Sequence, residues 1–260
     1  MKRFYLPLVL LLMLGGLAAC LPAATPLPPL PTDTPPPPTE TPTPTVVWFP
    51  PTPTFTPLPT IVQSQAITPT VALIPETGER LFSDDFTDPS LWTLGVSPAG
   101  SVALSQQELT LAVSQEGGYL YSVRRKTELG NFYAEITASP SLCKDSDEYG
   151  LLLRVSPSME FFRFSLTCDG QARVDRYLSG RASSPQPLTL TGSVPPGAPS
   201  VSRLAVSSID KEMRFFVNGD YLFSVSDSSL IGGTLGVFAR SNGDTPVTVN
   251  FSDLVVYRAR

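Results

Sequence analysis

The sequence predicts an all-β domain, built as a two-sheet antiparallel sandwich, that follows a disordered Pro/Thr-rich tether. From residue 78 onward, short runs of alternating apolar and polar residues are separated by Gly, Pro, Ser and Asp, without any long helical periodicity. Residues 21–77 instead hold 18 of the 29 prolines and 14 threonines, but no lysine or arginine. Such a segment buries too little apolar surface to offset the entropy of ordering, so we expect it to remain extended.

The amino-terminal residues predict a secretory signal. Lys2 and Arg3 precede an apolar stretch over Tyr5–Leu14, and small residues follow up to Cys20. The apolar stretch is shorter than the roughly 20 residues of a membrane-spanning helix. We therefore expect the chain to be exported.

The end of this signal, Leu17–Cys20, resembles the bacterial lipoprotein signal, in which cleavage precedes a lipidated cysteine. The resemblance implies a signal peptide over residues 1–19, palmitate-type acyl chains on Cys20, and a linker over residues 20–77. The protein would then be extracytoplasmic and lipid-anchored at the cell membrane or envelope surface, since several acyl chains together anchor durably. The alternative is an ordinary signal peptide cut near Ala19.

Two further cysteines, Cys143 and Cys168, lie in the predicted domain. An exported pair in an oxidising compartment predicts a disulfide, and closing a loop of this length stabilises a fold by about 3 kcal/mol. Two free buried thiols are the alternative.

The strands are predicted from alternating runs, several of which are joined by tight turns. The clearest runs lie at residues 108–113, 131–139, 148–156, 160–168 and 171–178. Asp169-Gly170 and Asn218-Gly219 stand between such runs, and these dipeptides favour the positive φ angles of two-residue hairpins. The remaining runs, "TLGVFAR" and "VTVNFSDLVVY", end the chain.

Several of these runs together resemble a known superfamily. They are "LFSDDFTDPSLWTL", "EYGLLLRVS", "FFRFSLTCDG", "FFVNGDYLFSV", "GGTLGVFAR" and "VNFSDLVVY". The resemblance is to the concanavalin A-like lectin/glucanase superfamily, and more narrowly to its laminin-G-like and keto-disaccharide-hydrolase-like domains. It implies a jelly roll over residues 78–260, and it does not specify an activity, because this fold carries lectins, glycanases and inert modules.

In jelly-roll lectins and glycanases one concave sheet presents its outward side chains to a ligand. Alternation places seven residues outward on the predicted strands, and if those strands are neighbours the seven form one surface: Tyr133, Glu135, Arg154, Arg163, Arg173, Asp175 and Tyr177. Aromatic rings stack on sugar faces and charged groups bind hydroxyls. The alternative is an ordinary solvated face with cross-strand ion pairs.

The superfamily also implies a structural Ca²⁺ where the first and last strands meet. The candidate ligands are Asp84, Asp85 and Asp253, because Ca²⁺ prefers oxygen ligands. Acidic residues beside strands also form turns, so both interpretations stay open, and no other cofactor is indicated.

The sequence lacks the motifs of several well-known catalytic systems. The chain has no histidine, which excludes Ser-His-Asp and Cys-His nucleophile systems. No glutamate is followed by aspartate two residues later, so the Glu-x-Asp-x-x-Glu motif of laminarinase-type glucanases is absent. A pairing of Glu135 with Asp175 across strands is the remaining candidate for a glycosidase carboxylate pair.

The charge distribution argues against nucleic acid. The predicted domain has 16 basic and 20 acidic residues without a basic cluster. We predict a monomeric, surface-anchored, non-enzymatic module that binds carbohydrate or a cell-envelope glycan. The alternatives are a protein-interaction or structural domain on a stalk, and a glycoside hydrolase-like enzyme.

Mass spectrometry of the mature protein tests the anchor. We expect the chain to begin at Cys20 with a diacylglyceryl group and an N-acyl chain, and a Cys20→Ser variant to lose both. An unmodified Cys20 would contradict the lipoprotein prediction.

Overall fold

The computed structural model describes residues 77–243 and 246–259. The predicted signal peptide (1–19), the lipidated Cys20 and the tether up to residue 76 lie outside the described residues. Within the described ranges, no helix has the length and apolarity needed to cross a membrane.

The described residues form fifteen strands and one short 3-10 turn at Pro89–Leu91. In chain order the strands are β1 (Thr77–Asp84), β2 (Gly95–Ser97), β3 (Gly100–Ser105), β4 (Glu108–Val113), β5 (Tyr119–Val123), β6 (Phe132–Leu142), β7 (Glu148–Val155), β8 (Phe161–Thr167), β9 (Gln171–Leu178), β10 (Arg181–Leu190), β11 (Ser202–Ile209), β12 (Glu212–Val217), β13 (Asp220–Ser226), β14 (Thr234–Arg240) and β15 (Val247–Ala259).

These strands form two antiparallel sheets. The nine-stranded sheet runs β13-β12-β11-β6-β15-β4-β3-β2, with β1 also paired to β15. The six-stranded sheet runs β10-β9-β8-β7-β14-β5. The predicted all-β class and its two-sheet antiparallel architecture are confirmed.

The core between the sheets is built by side chains that alternate along each strand. On β8, Phe162, Phe164 and Leu166 are fully buried in the main core cluster. The Phe164 ring lies 4.8 Å from that of Phe215 on β12, which belongs to the opposite sheet. Apolar packing of this kind holds the two sheets together.

One of the two predicted two-residue hairpins is confirmed, and the other, at Asp169-Gly170, is wrong. Asn218 and Gly219 have φ angles of 54° and 87° and join β12 to β13 as a two-residue hairpin. At the other turn only Gly170 has a positive φ, 88°, because three residues rather than two separate β8 from β9.

The predicted disulfide between Cys143 and Cys168 is confirmed, with Cα atoms 5.9 Å apart. Cys143 follows β6 of the nine-stranded sheet, and Cys168 follows β8 of the six-stranded sheet. The bond therefore links the two sheets covalently at one end of the sandwich.

Arg154 does not lie on an outer face as predicted. Its φ of 51° and the register shift between β7 and β14 mark a β-bulge, which adds one residue and reverses the alternation beyond it. The side chain is 1% exposed and turns between the sheets, where it donates hydrogen bonds to Ser208 Oγ and to the carbonyl oxygens of Asp210 and Leu230.

Asp84, at the end of β1, is the centre of a buried polar cluster. Its Oδ2 accepts hydrogen bonds from Arg124 Nε at 3.0 Å and from Trp92 Nε1 at 3.1 Å, and its Oδ1 accepts one from the Phe86 amide at 2.9 Å. The Asp84 and Arg124 side chains are 2% and 9% exposed. The pairing compensates two charges that would otherwise be buried alone.

Removing the Asp84 carboxylate is expected to destabilise the fold strongly. Asp84→Ala leaves the Arg124 charge buried without a partner, so the free energy of unfolding should fall by about 3–5 kcal/mol in urea denaturation. Asp85→Ala is the matched control, because the neighbouring Asp85 is exposed and its loss should change stability by less than about 0.5 kcal/mol. Equal effects of the two substitutions would contradict a structural role for the Asp84–Arg124 pair.

Candidate functional site

The outer face of the six-stranded sheet carries an aromatic and charged surface. Its side chains alternate along the strands with the core residues and therefore point away from the nine-stranded sheet. We call this surface the site face. Its aromatic members are Tyr119, Tyr121, Phe161, Tyr177 and Phe238, and its charged members are Glu148, Arg163, Arg173, Asp175 and Arg240.

Four charged side chains of the site face form an ion-pair network across β7, β8 and β9. Arg163 Nη2 lies 2.6 Å from Asp175 Oδ2 and 3.6 Å from Glu148 Oε2. Arg173 Nη2 lies 2.7 Å from Glu148 Oε1, and its Nε lies 3.1 Å from Asp175 Oδ2. Each arginine thus contacts both carboxylates, and this compensates the cost of burying the four charges.

Arg163 is enclosed by aromatic rings. Its guanidinium carbon lies 5.0 Å from the Tyr177 ring centroid and 5.3 Å from that of Phe238, and Tyr177 stacks on Phe161 at 4.8 Å. Burial opposes the charge on Arg163, but the hydrogen bond to Asp175 and the neighbouring carboxylates outweigh it and raise the pKa of the guanidinium. Arg163 is therefore a fixed cation in an apolar setting.

The middle of the site face is lined by small residues. Gly150 on β7 pairs with Ser165 on β8, and Gly150 pairs on its other side with Phe238 of β14. A Cβ atom at Gly150 would lie 2.1 Å from the carbonyl oxygen of Phe164, so no other residue fits there without moving the strand. The long side chains of the network surround this small-residue floor.

Several buried polar atoms around Gly150 and Ser165 have no hydrogen-bond partner in the described part of the chain. Five of the seven buried side-chain polar atoms that lack a hydrogen-bond partner among the described residues lie here, namely Tyr119 OH, Glu148 Oε2, Arg163 Nε, Ser165 Oγ and Arg173 Nε. Two of these, Glu148 Oε2 and Arg173 Nε, remain in ion-pair contact with Arg163 and Asp175, at 3.6 Å and 3.1 Å. Buried polar atoms are rarely left unpaired, so such a cluster indicates a place for a ligand or for ordered water. Burial raises the pKa of the Tyr119 hydroxyl, and the charge of Arg163 offsets part of that rise.

A loop beside the disulfide supports Glu148. Asn242 Nδ2 donates to Glu148 Oε1 at 3.1 Å and to the Ser146 carbonyl oxygen at 2.5 Å. Asp147, which is buried, accepts hydrogen bonds from the Lys144 and Asn242 amides at 2.9 Å each. Asn242, which is itself bonded to Ser146 and Asp147, thus fixes Glu148 Oε1 together with Arg173.

The structure divides the seven predicted site residues among three places. Arg163, Arg173, Asp175 and Tyr177 lie together on the site face. Tyr133 and Glu135 lie on β6, which belongs to the nine-stranded sheet, and Arg154 lies between the sheets. The predicted single surface is therefore wrong, because β6 is not a neighbour of β7, β8 and β9.

Glu135 and Asp175 do not face each other. Glu135 accepts a hydrogen bond from Tyr133 OH at 2.6 Å and pairs with Arg203 at 3.0 Å on the outer face of the nine-stranded sheet. Asp175 points outward from the other sheet, so the two sheets separate the carboxylates. This excludes the cross-strand carboxylate pair that the sequence leaves open as an alternative.

Sequence reasoning missed part of the site face. The missed residues are Tyr119, Tyr121, Glu148, Phe161, Phe238 and Arg240. The signal for several of them was present, since Glu148 alternates with the core residues Tyr149 and Leu151. Alternation does not show which strands share a sheet, so the sequence alone does not show that these residues lie on one surface.

The three predicted calcium ligands line one pocket, which also contains Ser83, Leu254 and Val255. Asp84 accepts hydrogen bonds from Arg124, Trp92 and the Phe86 amide. Asp85 accepts a hydrogen bond from Thr87, and Asp253 accepts one from Ser252. Among the described residues there is no group of three His, Cys, Asp or Glu side chains arranged to hold a metal ion. The acids share a location without forming a set of metal ligands.

Comparison with known proteins relates the chain to others by fold. No protein-family pattern and no curated protein matches it. Among solved structures, a Bacillus licheniformis β-glucanase is 15% identical, with 71% of this chain and 100% of the other covered and a TM-score of 0.53. A laminarinase catalytic domain from Thermotoga petrophila is 12% identical, with 72% and 100% covered and a TM-score of 0.52.

A third solved structure is a protein of unknown function with a galectin-like fold from Bacillus subtilis. It is 13% identical, 72% of this chain and 99% of that chain are covered, and the TM-score is 0.54. At these identities the likeness shows the fold alone. It agrees with the two-sheet antiparallel architecture of the described residues.

Substitution of two buried hydroxyls on β8 tests whether Ser165 lacks a hydrogen-bond partner. Ser165→Ala removes a hydroxyl without a partner, so the free energy of unfolding should stay level or rise by about 1 kcal/mol in urea denaturation. Thr167→Val is the matched control, because Thr167 Oγ1 accepts a hydrogen bond from the Gln171 amide at 2.9 Å. Its loss should lower stability by about 1–2 kcal/mol. Equal losses for both variants would show that Ser165 already has a partner.

Proposed function

We propose that the chain is a surface-anchored, non-enzymatic module that binds carbohydrate through the site face. The observation that carries the proposal is the cluster of unpaired, buried polar atoms around Gly150 and Ser165, flanked by tyrosine rings. Aromatic rings favour the apolar faces of sugar rings, and polar groups fixed beside them bind hydroxyls with defined geometry. A sugar meets both requirements at once.

The rigidity of the site face favours binding. Arg163, Glu148 and Asp175 hold one another in place, and Asn242 fixes Glu148 from the adjoining loop. Groups that are ordered before a ligand arrives lose little entropy when they bind it. Two of the solved structures with a similar fold are named as glucanases, which supports a carbohydrate ligand for this architecture.

The state of the two site-face carboxylates favours binding over hydrolysis. A glycosidase needs one carboxyl group as proton donor and a second as nucleophile or base. Glu148 and Asp175 instead both form ion pairs with Arg163 and Arg173, so both carboxylates serve as charge partners of the arginines. The sequence also lacks the Glu-x-Asp-x-x-Glu motif of laminarinase-type glucanases.

Anchoring belongs to the same proposal. The lipoprotein-like signal that ends at Cys20 supports attachment to an extracytoplasmic membrane surface. The Pro/Thr-rich residues that follow support a spacer between the membrane and the β-sandwich. In this arrangement the site face would meet glycans outside the cell or in the envelope.

A binding assay with single-ring variants tests the site face. The full chain is titrated with a panel of polysaccharides, and we expect Tyr121→Ala and Tyr177→Ala to weaken binding about tenfold each, since one stacked ring contributes about 1–1.5 kcal/mol. Tyr221→Ala is the matched control, because Tyr221 is 38% exposed on the nine-stranded sheet and Tyr121 is 40% exposed on the site face.

The outcomes separate the proposal from its alternatives. Binding that survives both site-face substitutions would reject this surface as the site. Release of reducing sugar by the full chain would show an enzyme instead of a binding module. Failure to bind any glycan would favour a protein-interaction or structural role.

A further inference from the structure

We infer that the ligand of the site face is an acidic glycan, one that carries carboxylate or sulfate groups. The inference rests on the proposed function and narrows it to a chemical class of sugar. It follows from the hydrogen-bond donors and acceptors that remain after the side chains of the site face have bonded to one another.

The acceptors of the site face are largely used. Asp175 Oδ2 contacts Arg163 and Arg173, and its Oδ1 accepts a hydrogen bond from Ser184 Oγ at 2.6 Å. Glu148 Oε1 accepts from Arg173 and from Asn242. Glu148 Oε2 is the carboxylate oxygen that stays without a hydrogen bond.

The unused groups are mainly donors. Arg163 Nε donates and never accepts, and the hydroxyls of Tyr119 and Ser165 each have a proton to donate, whereas Arg173 Nε already contacts Asp175 Oδ2 at 3.1 Å. A neutral sugar presents hydroxyl protons that require acceptors, and this face offers few of them. A carboxylate or sulfate presents acceptor oxygens alone, so it complements the groups that remain.

The charges of the site face point to the same class of ligand. Arg163 and Arg173 are balanced by Glu148 and Asp175, whereas Arg240 has no ion-pair partner among the described residues. Arg240 pairs in register with Tyr119 on one side and Glu148 on the other, so its surplus charge adjoins the floor.

This positive surplus is local. The whole chain has a net charge of −5, so the protein as a whole repels a polyanion, and Arg240 supplies the attraction on the site face. Binding of an acidic glycan should therefore depend on the named arginines and weaken as salt screens their charge.

Matched polymers that differ only in charge test the inference. The full chain is titrated with homogalacturonan and its methyl ester, and with dextran sulfate and dextran. We expect one charged polymer of these pairs to bind at least about tenfold more tightly than its neutral counterpart, which corresponds to one charge-assisted hydrogen bond. The carboxylate and sulfate arms identify which anion the face prefers.

An arginine substitution locates the contact. Arg240→Gln should weaken binding of the preferred charged polymer about tenfold and flatten its dependence on sodium chloride. Arg258→Gln is the matched control, since Arg258 is exposed on β15 of the other sheet and its loss should change neither quantity.

Each result bears on a different claim. Equal or tighter binding of the neutral polymers would overturn the acidic-glycan inference and leave the proposed function intact. An unchanged affinity of Arg240→Gln for the charged polymer would also overturn the inference. Absence of binding to any polysaccharide, charged or neutral, would overturn the inference together with the proposed function.

Discussion

The burial of the Arg163 guanidinium is the constraint on which the site face depends. An unpaired cation between Tyr177 and Phe238 would carry a desolvation cost of several kcal/mol, so carboxylates must stand on both sides of it. Asp175 and Glu148 provide them from the neighbouring strands, and Arg173 in turn balances those two acids. The need to neutralise the charge of Arg163 thus sets the positions of all four side chains of the ion-pair network.

The same network requires small residues beneath it. Long side chains that reach across β8 need space, and Gly150 with Ser165 leaves that space in the middle of the sheet. The backbone of Phe164 approaches Gly150 too closely for a Cβ atom, so the gap is built into the packing of the strands. Asn242 then donates hydrogen bonds both to Glu148 and to the loop that follows Cys143. The geometry of the site face consequently depends on the strand packing of the sheet, on the adjoining loop and on the core.

Sequence alone predicted the features that depend on short-range pattern. Alternation placed Phe162, Phe164 and Leu166 in the core, and Asn218-Gly219 in a tight hairpin. Two features escaped because they depend on long-range or irregular structure. The period-two pattern of β6 does not indicate which of the two sheets the strand joins. The bulge at Arg154 shifts the period by one residue, and no glycine or proline at that position indicates it in the sequence.

The buried Asp84 cluster also determines how the sandwich would respond to mechanical force. A pull exerted through the residues that precede β1 enters the fold at Thr77, where β1 pairs with the last strand, β15. Peeling of β1 would proceed along its ladder until it reached Asp84, whose bonds to Arg124 and Trp92 fix the strand end to the interior. Tension would therefore be resisted at this buried cluster, which ties β1 through Arg124 to β14 of the six-stranded sheet.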